Sequence, residues 1–236
     1  MAAPEARIEL LGGFDVACGL HRPELGSSSR RLLAMLALRR RPISRERLAG
    51  TLWPETSQDR AQGRLRTALW RLGAERNRLV SSSGDLVALG DGCEVDVHSA
   101  EDIGQALVTG DMCFEESQSG ELLELFSQEL LPDWDEPWVI LDRELYREIR
   151  VHALETLAVA CLEVGDHLRA IQASLQAIRC APYRDSSHRL LVQAYRAEGN
   201  ASAALRHILD YRHDVRKELG MTPERVLPDL VEELAG

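Results

Sequence analysis

The residues best suited to recognition chemistry are Arg60, Arg64, Thr67 and Arg71, spaced 4, 3 and 4 apart. On a helix that spacing puts all four on one stripe, with Ala61, Leu65, Ala68, Leu69 and Leu72 on the other side. A guanidinium forks onto O6 and N7 of guanine in the major groove, and threonine meets a thymine methyl or a phosphate, so the stripe fits double-stranded DNA. Gly63 beside it permits close backbone approach, a reason for glycine to stand where it costs about 1 kcal/mol in a helix. The plain alternative is an arginine-rich solvated face, and composition gives it weight: of 28 basic residues only Lys217 is a lysine.

Charge distribution favours the recognition reading. The 236 residues carry a net charge of −10, which excludes a uniformly basic coat but not a basic patch. Residues 1–97 hold 15 Arg against 12 acidic residues, a net of +3, whereas 98–236 carry −13. Within the first part, Arg30 to Arg78 hold 13 Arg against Glu46, Glu55, Asp59 and Glu75, a local net of +9. Two domains with different partners follow, at 1–97 and 98–236.

Other chemistries find no support. The seven histidines show no HExxH, and no spacing sets two of them on one helical face beside a carboxylate. Neither a phosphate loop nor a GxGxxG or GxSxG motif is present. The acidic clusters Asp133 to Glu136 and Glu232-Glu233 read as solvated surface. No enzyme, no cofactor and no metal is expected. Five cysteines without a CxxC pair argue against a disulfide framework. With no secretory signal or run of about 20 apolar residues, the expected compartment is the cytoplasm, with no membrane partner.

The elements that would position the stripe can be read from pattern. Ile8 and Leu10, then Gly12-Gly13, then Phe14, Val16 and Cys18 suggest two strands around a glycine turn, with a weaker third near Leu20 to Leu25. Leu32, Leu33, Leu36 and Ala37 after the serine triplet Ser27 to Ser29 give a first helix. Ser44 caps a second, which opens at Arg45, carries Leu48, Leu52 and Trp53 and stops at Pro54. Thr56 or Ser57 caps the third, which bears the stripe. Leu79 and Val80, a turn over Ser81 to Asp85, and Leu86, Val87 and Leu89 read as a hairpin. Strands, three helices and a hairpin are the element order of a winged helix. Trp53 is expected in the core beneath the loop that follows it; Trp70 either packs under the hairpin or touches the sugar-phosphate edge.

The second part is helical and repeats. Gly165-Asp166 recurs as Gly199-Asn200, and Ala170-Ile171 as Ala204-Leu205, each displaced by 34 residues, the tetratricopeptide period. Each unit would be a helix pair with alanine at the crossing and a left-handed glycine ending the first helix. Pro182 breaks one unit from the next. Two units are few, so flanking helices at His98 to Val108, Gly120 to Leu131, Trp138 to Gly165 and Pro223 to Leu234 would complete the stack. The expected class is therefore mainly α: an N-terminal winged helix-turn-helix (α+β) followed by an all-α tetratricopeptide-like domain.

The strings RRLLAMLALRRRPISRERLAGTLWPE, AQGRLRTALWRLG and LVSSSGDLVALGDGCEVDVHSAE together resemble the DNA-binding domain of the Streptomyces antibiotic regulatory protein family, an OmpR-type winged helix. PDWDEPWVILDRELYREIRVHALETLA, the 34-residue repeats and RKELGMTPE look like the bacterial transcriptional activation domain that follows it there. The resemblance covers nearly the whole chain. It implies a transcriptional activator of a secondary-metabolite (antibiotic) gene cluster that binds direct repeats near a promoter as a homodimer and contacts RNA polymerase and its sigma factor. Arg64, Thr67 and Arg71 fall on recognition-helix contact sites; Arg60, Arg45 and Ser82 complete the expected DNA-binding set, and Trp53, Pro54 and Glu55 the polymerase-contact loop. This chain has Gly73 where the family often carries Arg, so a backbone contact there is not carried over. No receiver domain precedes the winged helix and no ATPase domain follows the repeats, so control by phosphorylation or nucleotide is not expected. The alternative is a helical-repeat scaffold or small-molecule-sensing regulator whose winged helix serves protein contacts.

Overall fold

The computed structural model describes residues 5–112 and 118–221. They form two compact units, one of residues 5–99 with 129–144, the other of 100–112, 118–128 and 145–221. The proposed terminal helix at Pro223 to Leu234 lies outside the described residues.

In the first unit, β1 (Ala6–Glu9) and β2 (Asp15–Ala17) pair antiparallel around the glycine turn, as the alternation suggested. The weaker third strand is reduced to an isolated bridge between Cys18 and His21. α1 (Ser27–Ala37), β3 (Ile43–Ser44), α2 (Arg45–Leu52) and α3 (Gln58–Trp70) follow. Ser44 caps α2, its side chain accepting from the Arg47 N–H. α1 packs on α3, Leu32, Leu33 and Leu65 are all buried, and the buried Ser29 hydroxyl donates to the Ala68 carbonyl at 3.0 Å. A short α4 (Arg76–Leu79) leads into the hairpin of β4 (Val80–Ser83) and β5 (Leu86–Leu89). The strand thus runs on through Ser83, and the turn is only Gly84-Asp85. β3 adds to this hairpin in the order β3-β5-β4.

One strand was not legible in the pattern. β6 (Cys93–Val95) pairs in parallel with β1, giving the order β2-β1-β6. Asp96 follows it and ties down the next turn of chain: its carboxylate accepts from the N–H groups of Leu10 and Leu11, each at 2.9 Å.

Residues 129–144, which the charge count had assigned to the second domain, pack within this first unit. The Leu131 N–H donates to the Leu10 carbonyl at 2.8 Å, and the Trp134 ring lies 5.5 Å from that of Phe14. Glu136 pairs with Arg31 at 2.7 Å and Asp142 with Arg39 at 2.7 Å. Two of the arginines counted in the basic segment are therefore neutralised by carboxylates from beyond residue 97.

The second unit is helical: α5 (Asp96–Thr109) from Ala100 onward, α6 (Ser119–Ser127), α7 (Pro137–Glu163) from Leu145 onward, α8 (His167–Cys180), α9 (Asp185–Ala197) and α10 (Ala201–Leu219). α6 is shorter than its expected span, because Leu130 and Leu131 belong to the first unit. α5 and α7 approach so closely that a Cβ on Gly104 would lie 2.6 Å from Ile149 Cγ2. The buried Arg150 guanidinium donates to the Phe126 and Ser127 carbonyls, both at 2.9 Å, closing the end of α6.

Displacement by 34 residues is visible in the local geometry. Gly165 and Gly199 both stand in the left-handed region, at φ 79 and 86. Asp166 caps α8 by accepting from Arg169, and Asn200 caps α10 by accepting from Ala203. Ala170 and Ala204 are both fully buried. Pro182 falls in the gap between α8 and α9.

Candidate nucleic-acid interface

The cationic surface is built on α3. Ala61, Leu65, Ala68 and Leu69 are buried along one side of the helix, and Leu72 just beyond its end continues that side. Arg60, Arg64 and Thr67 are exposed on the helix, and Arg71 is its exposed C-cap rather than an interior residue. Gly73, in the left-handed region at φ 58, ends the run. The structure brings Arg60, Gly63, Arg64, Thr67 and Arg71 into one groove, with Ser28 and Arg31 of α1 and Trp53 completing its wall.

The side chains of this groove differ in freedom. Thr67 donates its hydroxyl to the Gly63 carbonyl at 3.0 Å. Arg64 stands 3.6 Å from the Glu55 carboxylate, both well exposed. Arg31 is committed, donating to the Leu52 carbonyl at 2.5 Å and to Glu136 at 2.8 Å.

Arg45 and Ser82 meet at the hairpin side. The Arg45 guanidinium donates to the Ser82 hydroxyl at 3.4 Å, and the Arg45 N–H to the Asp85 carbonyl at 2.9 Å. Both residues therefore stand at one end of the β3-β5-β4 sheet. The loop after α2 divides by burial: Pro54 and Glu55 are exposed, but Trp53 is only 3% exposed. A ring so covered supports the loop from beneath and leaves Pro54 and Glu55 as the residues that a partner could touch. The burial of Trp53 agrees with its expected place in the core.

Two outward residues escaped the stripe. At 100° per residue, the pole opposite the buried side of α3 passes through Gly63, Thr67 and Trp70, with Arg66 on one flank and Arg60, Arg64 and Arg71 on the other. Arg66 is exposed and Trp70 is 76% exposed. The line opposite the apolar centroid runs through Trp70, and Arg66 lies on the flank away from the other arginines, so a stripe through Arg60, Arg64, Thr67 and Arg71 passes both by.

Among the described residues no group of three or more His, Cys, Asp or Glu side chains could hold a metal ion, and no helix is long and apolar enough to cross a membrane. Cys18, Cys93, Cys161 and Cys180 are free thiols. Burial, with the Glu75 carboxyl hydrogen-bonded beside it, pushes Cys18 up to about 11, which keeps it in the unreactive thiol form.

Comparison with known proteins bears on this arrangement. The chain is 28% identical over 240 residues to the regulatory protein AfsR of Streptomyces griseus, covering 98% of this chain and 25% of that protein. It is 29% identical over 214 residues to AfsR of Streptomyces coelicolor, covering 87% of this chain and 22% of that protein. The chain thus spans about a quarter of the length of these relatives. Its fold is shared with Mycobacterium tuberculosis EmbR, solved in complex with a low-affinity phosphopeptide, at a TM-score of 0.74 and 20% identity over 98% of this chain and 65% of that one. The bacterial transcriptional activator domain model matches residues 95–235, more than half of the sequence. The chain belongs to the bacterial transcriptional activator domain family.

Proposed function

We propose that this chain is a sequence-specific DNA-binding transcriptional activator whose first unit acts as a winged helix, with α3 in the major groove and the β4-β5 hairpin as its wing. The observation that carries this reading is α3 itself: one side fills the core, while Arg60, Arg64, Thr67 and Arg71 line an open groove. Cationic forks on a rigid helix are suited to guanine edges and phosphates. Arg45 and Ser82, paired at the hairpin side, would hold the adjacent backbone. Pro54 and Glu55, on the exposed loop before α3, would meet RNA polymerase or its sigma factor.

Two protomers on direct repeats near a promoter, with 1–97 reading DNA and 98–236 placing the pair for polymerase, complete the proposal. The resemblance to the Streptomyces antibiotic regulatory protein family supports a secondary-metabolite gene cluster as the target, and the similarity to a regulatory protein of two Streptomyces species agrees with a regulatory role. Footprinting the full chain on promoters beside its own gene tests this directly. Protected direct repeats, with affinity falling steeply as salt rises, are expected. Absence of any protected site, or binding indifferent to salt, refutes the reading.

A further inference from the structure

Trp70 is the large side chain that the proposed DNA contact leaves unexplained. It is 76% exposed at the last position of α3, although indole is the largest apolar surface that a side chain offers to water. Its neighbours define what would cover it. Gly63, Thr67 and Trp70 form a single row at spacings of four and three, the pole of the helix farthest from the core. Along that row the side chains grow from hydrogen to hydroxyethyl to indole. A Cβ on Gly63 would meet nothing nearer than Arg66 Nη2 at 3.8 Å, so the helix is slimmest there and thickest at Trp70. Exposed Arg66 flanks the row on one side, with exposed Arg60, Arg64 and Arg71 on the other.

An exposed apolar ring at the end of a helix face that also carries guanidinium groups suits a partner that is polyanionic overall yet carries a discrete apolar group. Carboxylates on a protein partner would answer the arginines but not the indole, which needs an apolar group set among the anions. Duplex DNA supplies both features in one groove: phosphates along the walls, and at each thymine a C5 methyl projecting into the major groove. We infer that Trp70 is a specificity-determining residue that packs its indole on a thymine C5 methyl, while Arg66 takes the phosphate beside it. The inference rests on the proposed entry of α3 into the major groove and adds the base that its C-terminal end reads.

The test uses the full chain and a pool of duplexes with a randomised core. Selection by the wild-type chain yields the preferred sequence, and each thymine in it is then replaced singly by deoxyuridine, which removes the methyl and nothing else. At one position, or one per repeat, the wild-type chain should lose about fourfold in affinity, the worth of one buried methyl group. Trp70→Ala should bind the unaltered duplex more weakly and show no further loss at that position. Sensitivity to deoxyuridine that persists undiminished in Trp70→Ala, or wild-type affinity unmoved at every thymine, overturns the inference. Because the deoxyuridine series is also read with the wild-type chain, it does not depend on how the variant folds. If no sequence is enriched at all, the DNA-binding reading falls as well, so the two failures are distinguishable.

Discussion

Arg64 and Glu55 face one another at 3.6 Å with more than half of each side chain in solvent. A pair so open contributes at most about 1 kcal/mol to folding, so its interest lies in binding. Glu55→Gln should leave the melting temperature nearly unchanged and raise DNA affinity severalfold in gel shifts, because it removes both a competing partner and a charge that repels phosphate. Activation in run-off transcription should fall if Glu55 also meets polymerase. Arg64→Ala and Arg71→Ala should each weaken specific binding by about 1–3 kcal/mol with unchanged circular dichroism, since both side chains are exposed. Equal loss on random DNA would reassign them to phosphates. At this scale the two tryptophans mark what a sequence discloses. Trp53 closes a helix before Pro54 and had nowhere but the core to go. Trp70 was legible less directly, through the centroid of Ala61, Leu65, Ala68 and Leu69, which sets it on the outward pole, and its 76% exposure agrees.

Small residues are buried on the paired helices of the second unit. Ala170 and Ala204 are wholly buried, so Ala→Leu at either should overpack its surroundings and destabilise by about 1–3 kcal/mol in thermal melts. α9 and α10 meet through aromatic rings. The His188 ring stacks on Tyr211 at 3.5 Å and on His207 at 5.0 Å, with His188 Nδ1 and His207 Nε2 2.9 Å apart. Burial pushes His188 down to about 4, against the opposing pull of the Pro182 carbonyl, and burial lowers His207 as well. The unfolded chain takes up these protons near 6.5, before the folded chain does. Stability should therefore be retained above pH 6.5 and lost as pH falls toward 4, the slope shrinking in His188→Gln. Unfolding by urea at pH 7.5, 6 and 5 measures it. The left-handed glycines and caps of this unit were legible because they recur at 34 residues, whereas the histidine stack was not, since its members come from two helices whose rotation packing alone decides.

For the molecule as a whole, the chain enters the first unit twice. Residues 129–144 return to it after α5 and α6, and their carboxylates Glu136 and Asp142 hold Arg31 and Arg39. Counting charge along the sequence could not reveal this, because opposite charges that pair in space add to different halves when summed in order. A fragment of residues 1–97 keeps the α3 surface but loses those partners and the Leu10–Leu131 backbone bond. It should melt lower than the first unit within the full chain and bind DNA more weakly; equal melting temperatures would show that 129–144 adds nothing. The returning segment also limits how such proteins can be recombined. A chimera that exchanges the DNA-reading part at residue 97 inherits arginines from one parent and their carboxylates from the other, so a functional swap has to carry residues 129–144 with it, and variation in the two stretches has to proceed together.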